Sequence, residues 1–108
     1  FGIHGGEIET SMMLHLAPAT VRMEHARHWP SSSQERAARY PILGNGRSAK
    51  LGWAIEDYHP AGAVGDAAGA MADKGRAVVQ AAAQALAQLS AEIHALPLDT
   101  VGGAPRPR

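Results

Sequence analysis

Apolar residues recur at helical spacing in two stretches of this chain, and the first lies close to its start. Ile8, Met12 and Leu16 are four positions apart, which predicts a helix over residues 7–17 with a buried apolar face. Pro18 ends this pattern because a proline ring is incompatible with the interior of a helix.

The second stretch, residues 67–96, predicts a much longer helix, and Asp66 is expected to cap its first turn. Its apolar stripe consists of Met71, Gly75, Val78, Ala82, Leu86, Leu89, Ile93 and Leu96. A stripe on so long a helix is expected to cover a sheet or another subunit, because an apolar face must be buried against something.

Polar residues and turn-forming residues predominate between the two helices. Residues 34–39 are predicted to form a short helix with Ser33 as its cap. Strand-like segments are expected at 40–43 and 51–55, and the Asn-Gly pair at Asn45 is typical of a hairpin turn.

Three histidines in the first third of the chain, His15, His25 and His28, are explained without a catalytic role. His15 is expected to be partly buried with one hydrogen bond. His25 and His28 are three positions apart, a spacing that would place them on one face if this segment were helical. No carboxylate or cysteine is placed to complete a metal site with them, so a solvated loop or an interface is favoured.

Trp53, Asp57 and His59 are candidates to line a pocket. A core position is favoured for Trp53, because an indole ring buries a large apolar area. Asp57 is expected to cap a turn or to pair with a nearby arginine. The role of these three residues stays open at this point.

Composition excludes several functional classes. The 108 residues carry ten basic and ten acidic side chains, which indicates no nucleic-acid partner and no acidic membrane surface. There is no cysteine, so disulfide and thiolate chemistry are excluded, and a cytoplasmic location is expected. No apolar run approaches the ~20 residues that span a bilayer.

The segment 1–11 carries the clearest candidate chemistry. His4 precedes a glycine pair that allows a tight bend, and Glu7 and Glu9 follow in the first helical turn. Carboxylates suit that turn because its free N–H groups favour negative charge. His4 is therefore expected to be held just before the start of a helix.

This segment resembles the creatininase family of amidohydrolases. The sequence His-Gly-Gly-x-x-Glu-Thr-Ser, with Met-Met-Leu-x-Leu-x-Pro after it, follows the family pattern His-(Ala/Gly)-Gly-x-x-Glu-Thr-Ser-x-Met-Leu-x-Leu-x-Pro. A second block, residues 61–75, resembles the family's Gly-x-x-Gly-(Asp/Ser) entry to its last helix, which includes Lys74 and Gly75.

The resemblance implies an α/β fold that is part of a three-layer α/β/α domain. A short helix would follow the His-Gly-Gly motif, and the long C-terminal helix would pack on a mostly parallel sheet that these residues cannot make alone. Residues 1–96 are accordingly expected to be the C-terminal part of such a domain, with the N-terminal part missing. Residues 97–108 are expected to be a disordered tail.

The resemblance also implies a metal-dependent amidohydrolase, a hydrolase on C–N bonds (EC 3.5-like), that cleaves a non-peptide or cyclic amide with a metal-activated water. His4 would be the proton shuttle and substrate contact, and Glu9 would support it, although a purely structural role for Glu9 stays open. The binuclear zinc or manganese centre would be bound mainly by the missing N-terminal part, so no metal ligand is assigned here. The fragment alone is expected to be inactive.

The implied partners are a small-molecule amide, the N-terminal part of the same protein, and further copies in a homo-oligomer, often a hexamer. Creatinine is a doubtful substrate because Phe1 stands where creatinine-cleaving members carry an aspartate.

Ser11 lacks the Gly-x-Ser-x-Gly sequence of a nucleophile elbow and is expected to pack within its helix. The alternative function is a non-catalytic helical assembly or binding module.

Overall fold

A computed structural model of the chain describes residues 1–44, 46–100 and 102. The helices in these ranges are α1 (Glu7–Leu16), α2 (Ser32–Arg39) and α3 (Ala72–Ala95). Short 3₁₀ turns occupy Pro18–Thr20, Met23–His25, Ile55–Asp57 and Ala67–Gly69. The chain divides into two compact units, Phe1–Val78 and Val79–Arg108.

A small antiparallel sheet lies in the first unit. It pairs β1 (His28–Trp29) with β2 (Gly65–Asp66), and His28 lies opposite Asp66. Helices combined with this two-stranded sheet are consistent with the expected α/β class. The three-layer arrangement and the mostly parallel sheet stay predictions.

Val64, directly before β2, connects this sheet to the start of the chain. Its N–H donates to the His4 carbonyl at 2.7 Å, and its carbonyl accepts from the Ile3 N–H at 2.9 Å. The side chain of Val64 is fully buried. The residues in front of α1 are therefore fixed by backbone bonds to a residue distant in sequence.

Helix α1 confirms the predicted helix within one residue at its C-terminus, but the predicted buried face is wrong. Ile8 and Leu16 are exposed, Met12 is half-buried, and the buried residue of α1 is Ser11. The helix approaches its neighbours within the first unit on its small polar face, where a backbone can come close. The apolar stripe is left uncovered by the described residues.

Helix α3 begins at Ala72, five residues later than expected, and extends about 36 Å at roughly 1.5 Å per residue. The prediction that Asp66 caps this helix is wrong. Asp66 lies in β2, and Ala67–Gly69 forms a separate 3₁₀ turn before the helix. Helical spacing of apolar residues does not distinguish such a turn from the first turn of an α-helix.

The apolar stripe along α3 is buried only near its start. Gly75 is buried and Val78 is half-buried, whereas Leu86 is 64% and Ile93 is 63% exposed. The expectation that a sheet or another subunit covers this stripe stays a prediction. Among the described residues, no helix combines the length and the apolar character that crossing a membrane requires.

Helix α2 confirms the short helix predicted for residues 34–39, with Ser31 rather than Ser33 as its cap. The Ser31 hydroxyl accepts from the Ser33 N–H at 3.1 Å. The strands expected at 40–43 and 51–55 are wrong: residues 41–44 form a turn, and Ile55–Asp57 is 3₁₀. Neither segment has a partner strand within the described ranges, and the Asn45 turn falls outside them.

The expected disordered tail, residues 97–108, lies largely outside the described part of the chain. Residues 101 and 103–108 are not described, so the tail stays a prediction.

Candidate functional site

His4 lies where the sequence predicted, directly before the first helix. Gly5 adopts a positive φ of 62°, which a residue with a side chain rarely takes, and Gly6 is the residue that precedes the first turn of α1. The imidazole is exposed and hydrogen-bonds to none of the described residues. Its backbone is nevertheless fixed by the pair of bonds with Val64.

The two sequence motifs meet at a pair of glycines. A Cβ on Gly65 would lie 2.9 Å from the Cα of Gly6, and a Cβ on Gly6 would lie 3.1 Å from the Cα of Gly65. A side chain at Gly65 would force backbone atoms to move, and one at Gly6 would require its backbone neighbours to shift by a few tenths of an ångström. The glycines of both motifs therefore set the distance between the start of α1 and β2.

A second close approach joins α1 to the start of α3. The Ser11 hydroxyl, which is fully buried, accepts from the Met71 N–H at 3.0 Å. A Cβ on Gly75 would overlap the Ser11 carbonyl oxygen. Ser11 thus has the packing role expected of it, and its buried hydroxyl is not accessible for nucleophilic attack.

An ion pair adds a third link between the motifs. Lys74 Nζ pairs with Glu7 Oε1 and also donates to the Gly69 carbonyl at 3.0 Å. Both side chains are partly exposed, 48% for Lys74 and 41% for Glu7, so the pair is worth at most about 1 kcal/mol. Sequence reasoning treated Glu7 only as a charge at the helix start. The opposite charges of Glu7 in the first motif and Lys74 in the second were the sequence signal that could have predicted this ion pair.

Glu9 is exposed and forms no ion pair or hydrogen bond with any described side chain. It lines a cleft of about 450 Å³, together with Arg22, His25 and Trp29. His4 does not line this cleft. The roles assigned to His4 and Glu9 therefore stay predictions.

The other histidines of the first unit are dispersed. His15 is exposed, so the prediction that it is partly buried is wrong, because the side of α1 that packs closely is the Ser11 side. His25 lies in a 3₁₀ turn at 3.7 Å from Glu24, and His28 lies in β1 at 3.6 Å from Asp66. No helix connects the two residues, so they do not share a helix face, and both are exposed, in agreement with the favoured solvated position.

Trp53, Asp57 and His59 do not form one site. Asp57 Oδ2 accepts from the Ala54 N–H at 2.8 Å, which confirms the turn cap. His59 Nδ1 accepts from the Ala61 N–H at 3.1 Å. Trp53 is 50% exposed and lines a cleft of about 390 Å³, so its favoured core position is wrong.

The described residues do not fit a metal centre. No group of three or more His, Cys, Asp or Glu side chains is placed among them to hold a metal ion. The pairs that such side chains do form in the first unit, His25 with Glu24 and His28 with Asp66, hold two groups each.

Comparison with known proteins identifies the family. No curated protein and no solved structure matches this chain. The model of the creatininase family, described as creatinine amidohydrolase, matches residues 1–90. The match includes the His4 motif, β2 and most of α3. Family membership implies amidohydrolase activity, which is hydrolysis of C–N bonds, and the family is generally metal-dependent. Because most of its length matches the family model, the chain belongs to the creatininase family.

Proposed function

We propose that this chain supplies the proton donor, His4, of an amidohydrolase that cleaves a non-peptide or cyclic amide. In such a reaction water adds to the carbonyl carbon, and the C–N bond then breaks. The leaving nitrogen must take up a proton, because an amide anion is too poor a leaving group. Imidazole serves here because histidine gains and loses a proton near neutral pH.

The observation that carries this proposal is the family match over residues 1–90, combined with the setting of His4. Its backbone is fixed by Val64 on one side and by the positive φ of Gly5 on the other. Its imidazole is exposed and has no described partner that would compete for the proton. A fixed backbone limits where the ring can lie, which contributes to the positioning that a proton donor needs.

Glu9 is proposed to support His4 or the substrate. It lies in the first turn of α1, and its carboxylate is free to accept a hydrogen bond from a group outside the described residues. A structural role at the helix start is the alternative, since that turn favours negative charge. Loss of activity with retained stability in Glu9→Gln would favour the first role.

We place the metal ligands outside the described residues, because these form no suitable cluster. The proposal is a binuclear zinc or manganese centre bound mainly by an N-terminal part of the same protein. That part would also supply the strands of the three-layer α/β/α domain, and the complete protein would form a homo-oligomer, expected to be a hexamer. Creatinine stays a doubtful substrate because of Phe1.

The test uses the complete protein in which this chain occurs. We expect two divalent metal ions per chain by elemental analysis, and hydrolysis of at least one member of a panel of small cyclic and linear amides. We also expect that mixing this chain with the separately produced N-terminal part restores hydrolysis. A metal-free complete protein that is inactive on every amide after zinc and manganese are added would contradict the proposal.

A helical assembly module is the second candidate, and one observation favours it. In the second unit Leu86, Leu89 and Ile93 along one side of α3, and Leu96 directly after its end, are all at least half exposed. Contiguous apolar surface of this kind marks an interaction surface more often than a solvated one. On this reading the helix binds a partner and the His4 motif has no catalytic use.

Mixing this chain with the N-terminal part distinguishes the amidohydrolase from the assembly module. Tight binding of the N-terminal part with no hydrolysis would favour the assembly module. In either case Leu89→Glu combined with Ile93→Glu should weaken association strongly in sedimentation experiments, because two charges would be buried at the interface. The control Gln84→Glu adds a charge on the opposite side of the helix and should leave association unchanged.

A further inference from the structure

A second cleft of the first unit has a consistent chemical character. This Trp53 cleft has a volume of about 390 Å³, and its polar and aromatic lining residues are Phe1, Ser33, Arg36, Lys50, Trp53 and Tyr58, beside aliphatic residues and glycines. Its volume lies within the range of small-molecule pockets, which is roughly 300–1,000 Å³. Neither His4 nor Glu9 lines it, so the inference does not depend on the proposed hydrolysis.

The charged residues of the Trp53 cleft are all basic. Arg36 and Lys50 contribute positive charge, and no carboxylate is among its lining residues in the described ranges. No described carboxylate forms an ion pair with either of these side chains. A concave surface with charge of one sign attracts ligands of the opposite sign, so the cleft favours an anion.

Arg36 is held in place by its own surroundings. Its guanidinium carbon lies 5.2 Å from the centre of the Tyr58 ring, and its Nη2 donates to the Ser32 hydroxyl at 3.3 Å. A guanidinium fixed in this way still presents further N–H groups in one plane, which suits a carboxylate or a phosphate.

The cleft also has an aromatic wall. The rings of Trp53 and Tyr58 meet edge to face, with centroids 4.8 Å apart and planes at 83°. Trp53 remains half exposed in this arrangement. The indole therefore offers an apolar surface to a flat group of a ligand, as aromatic side chains commonly do.

We propose that the Trp53 cleft binds a small organic anion that carries a planar ring. The carboxylate or phosphate of the ligand lies at Arg36 and Lys50, and its ring lies against Trp53.

Nuclear magnetic resonance on the ¹⁵N-labelled chain tests this directly. Phenyl phosphate and benzoate should each shift the indole N–H signal of Trp53 in a saturable way, and the tighter of the two identifies the preferred anionic group. Trp29, which does not line this cleft, is the internal control and should not shift. Equal affinity for neutral benzyl alcohol, or for inorganic phosphate without a ring, would overturn the proposal.

Substitutions of the basic residues test whether the ligand binds in the Trp53 cleft. Arg36→Gln and Lys50→Gln should each weaken binding roughly 10- to 100-fold, the usual effect of losing a hydrogen bond to a charged group. Arg39→Gln is the matched control, because Arg39 lies 5.6 Å over Tyr40 and does not line the cleft. Circular dichroism shows whether each variant is folded, and Lys50 is exposed, so its replacement should not disturb the fold. Equal loss in Arg39→Gln, or no loss in folded Lys50→Gln, would refute this assignment.

Discussion

Replacing His4 by alanine is expected to lower kcat of the complete enzyme by roughly 10²–10⁴-fold, the usual contribution of a positioned general acid or base. The metal content should not change, since the ring is assigned to proton transfer and not to coordination. Steady-state kinetics together with elemental analysis of the purified variant check both statements. Added imidazole should restore part of the activity by occupying the space that the ring leaves.

His15→Ala is the matched control for this experiment. His15 is exposed on α1 and stands at a variable position of the family pattern, so its removal should leave turnover unchanged. Normal turnover in His4→Ala would exclude the proton-transfer role. Loss of metal together with the His4 ring would instead assign His4 as a ligand and contradict the proposal.

Gly75→Ala is expected to destabilise the chain by about 2 kcal/mol. The added Cβ would overlap the Ser11 carbonyl oxygen, a backbone atom that cannot rotate away. Such over-packing costs up to about 3 kcal/mol. The better helix propensity of alanine offsets about 1 kcal/mol of this, because the position is inside α3.

Urea denaturation followed by circular dichroism measures the effect of Gly75→Ala on the free energy of unfolding. Gly52→Ala is the control, because a Cβ at that position would meet no atom within 4 Å. We expect the control to unfold at the urea concentration of the parent chain. An unchanged midpoint for Gly75→Ala would mean that α1 and α3 can separate without cost.

Local features of the sequence predicted the helices of the first unit well. Helix α1 has the predicted start, and α2 was predicted within two residues, because caps and helix-breaking residues act over a few positions. The turn cap of Asp57 was predicted for the same reason. The family itself was recognisable because two motifs occur in order, and the match over residues 1–90 confirms it.

Contacts between distant residues could not be predicted in this way. The overlap of Gly75 with Ser11 and the pairing of Lys74 with Glu7 depend on how α1 meets α3, which no single segment encodes. The strands β1 and β2 have two residues each, too few to show alternation of apolar and polar residues.

Burial of the apolar stripe of α1 was overestimated because a stripe specifies a face without specifying what covers it. Ile8 and Leu16 remain exposed within the described residues, whereas the covering of the α3 stripe stays a prediction. The assigned roles of His4 and Glu9 came from the family motif, and the geometry of this chain alone leaves them as predictions.

The pairing of β1 with β2 has a consequence for how relatives of this protein can diverge. Trp29 and Gly65 lie side by side, so segment 30–64, which is part of the first unit, begins and ends at one place on the small sheet. Closing a flexible loop costs only about 0.6 kcal/mol more for each doubling of its length. Added length in the irregular stretch 46–54 of this segment is therefore thermodynamically tolerable, whereas side chains at Gly6 or Gly65 would force neighbouring backbone atoms to move. Ligand preference at Trp53 can drift over evolutionary time while the histidine stays in place.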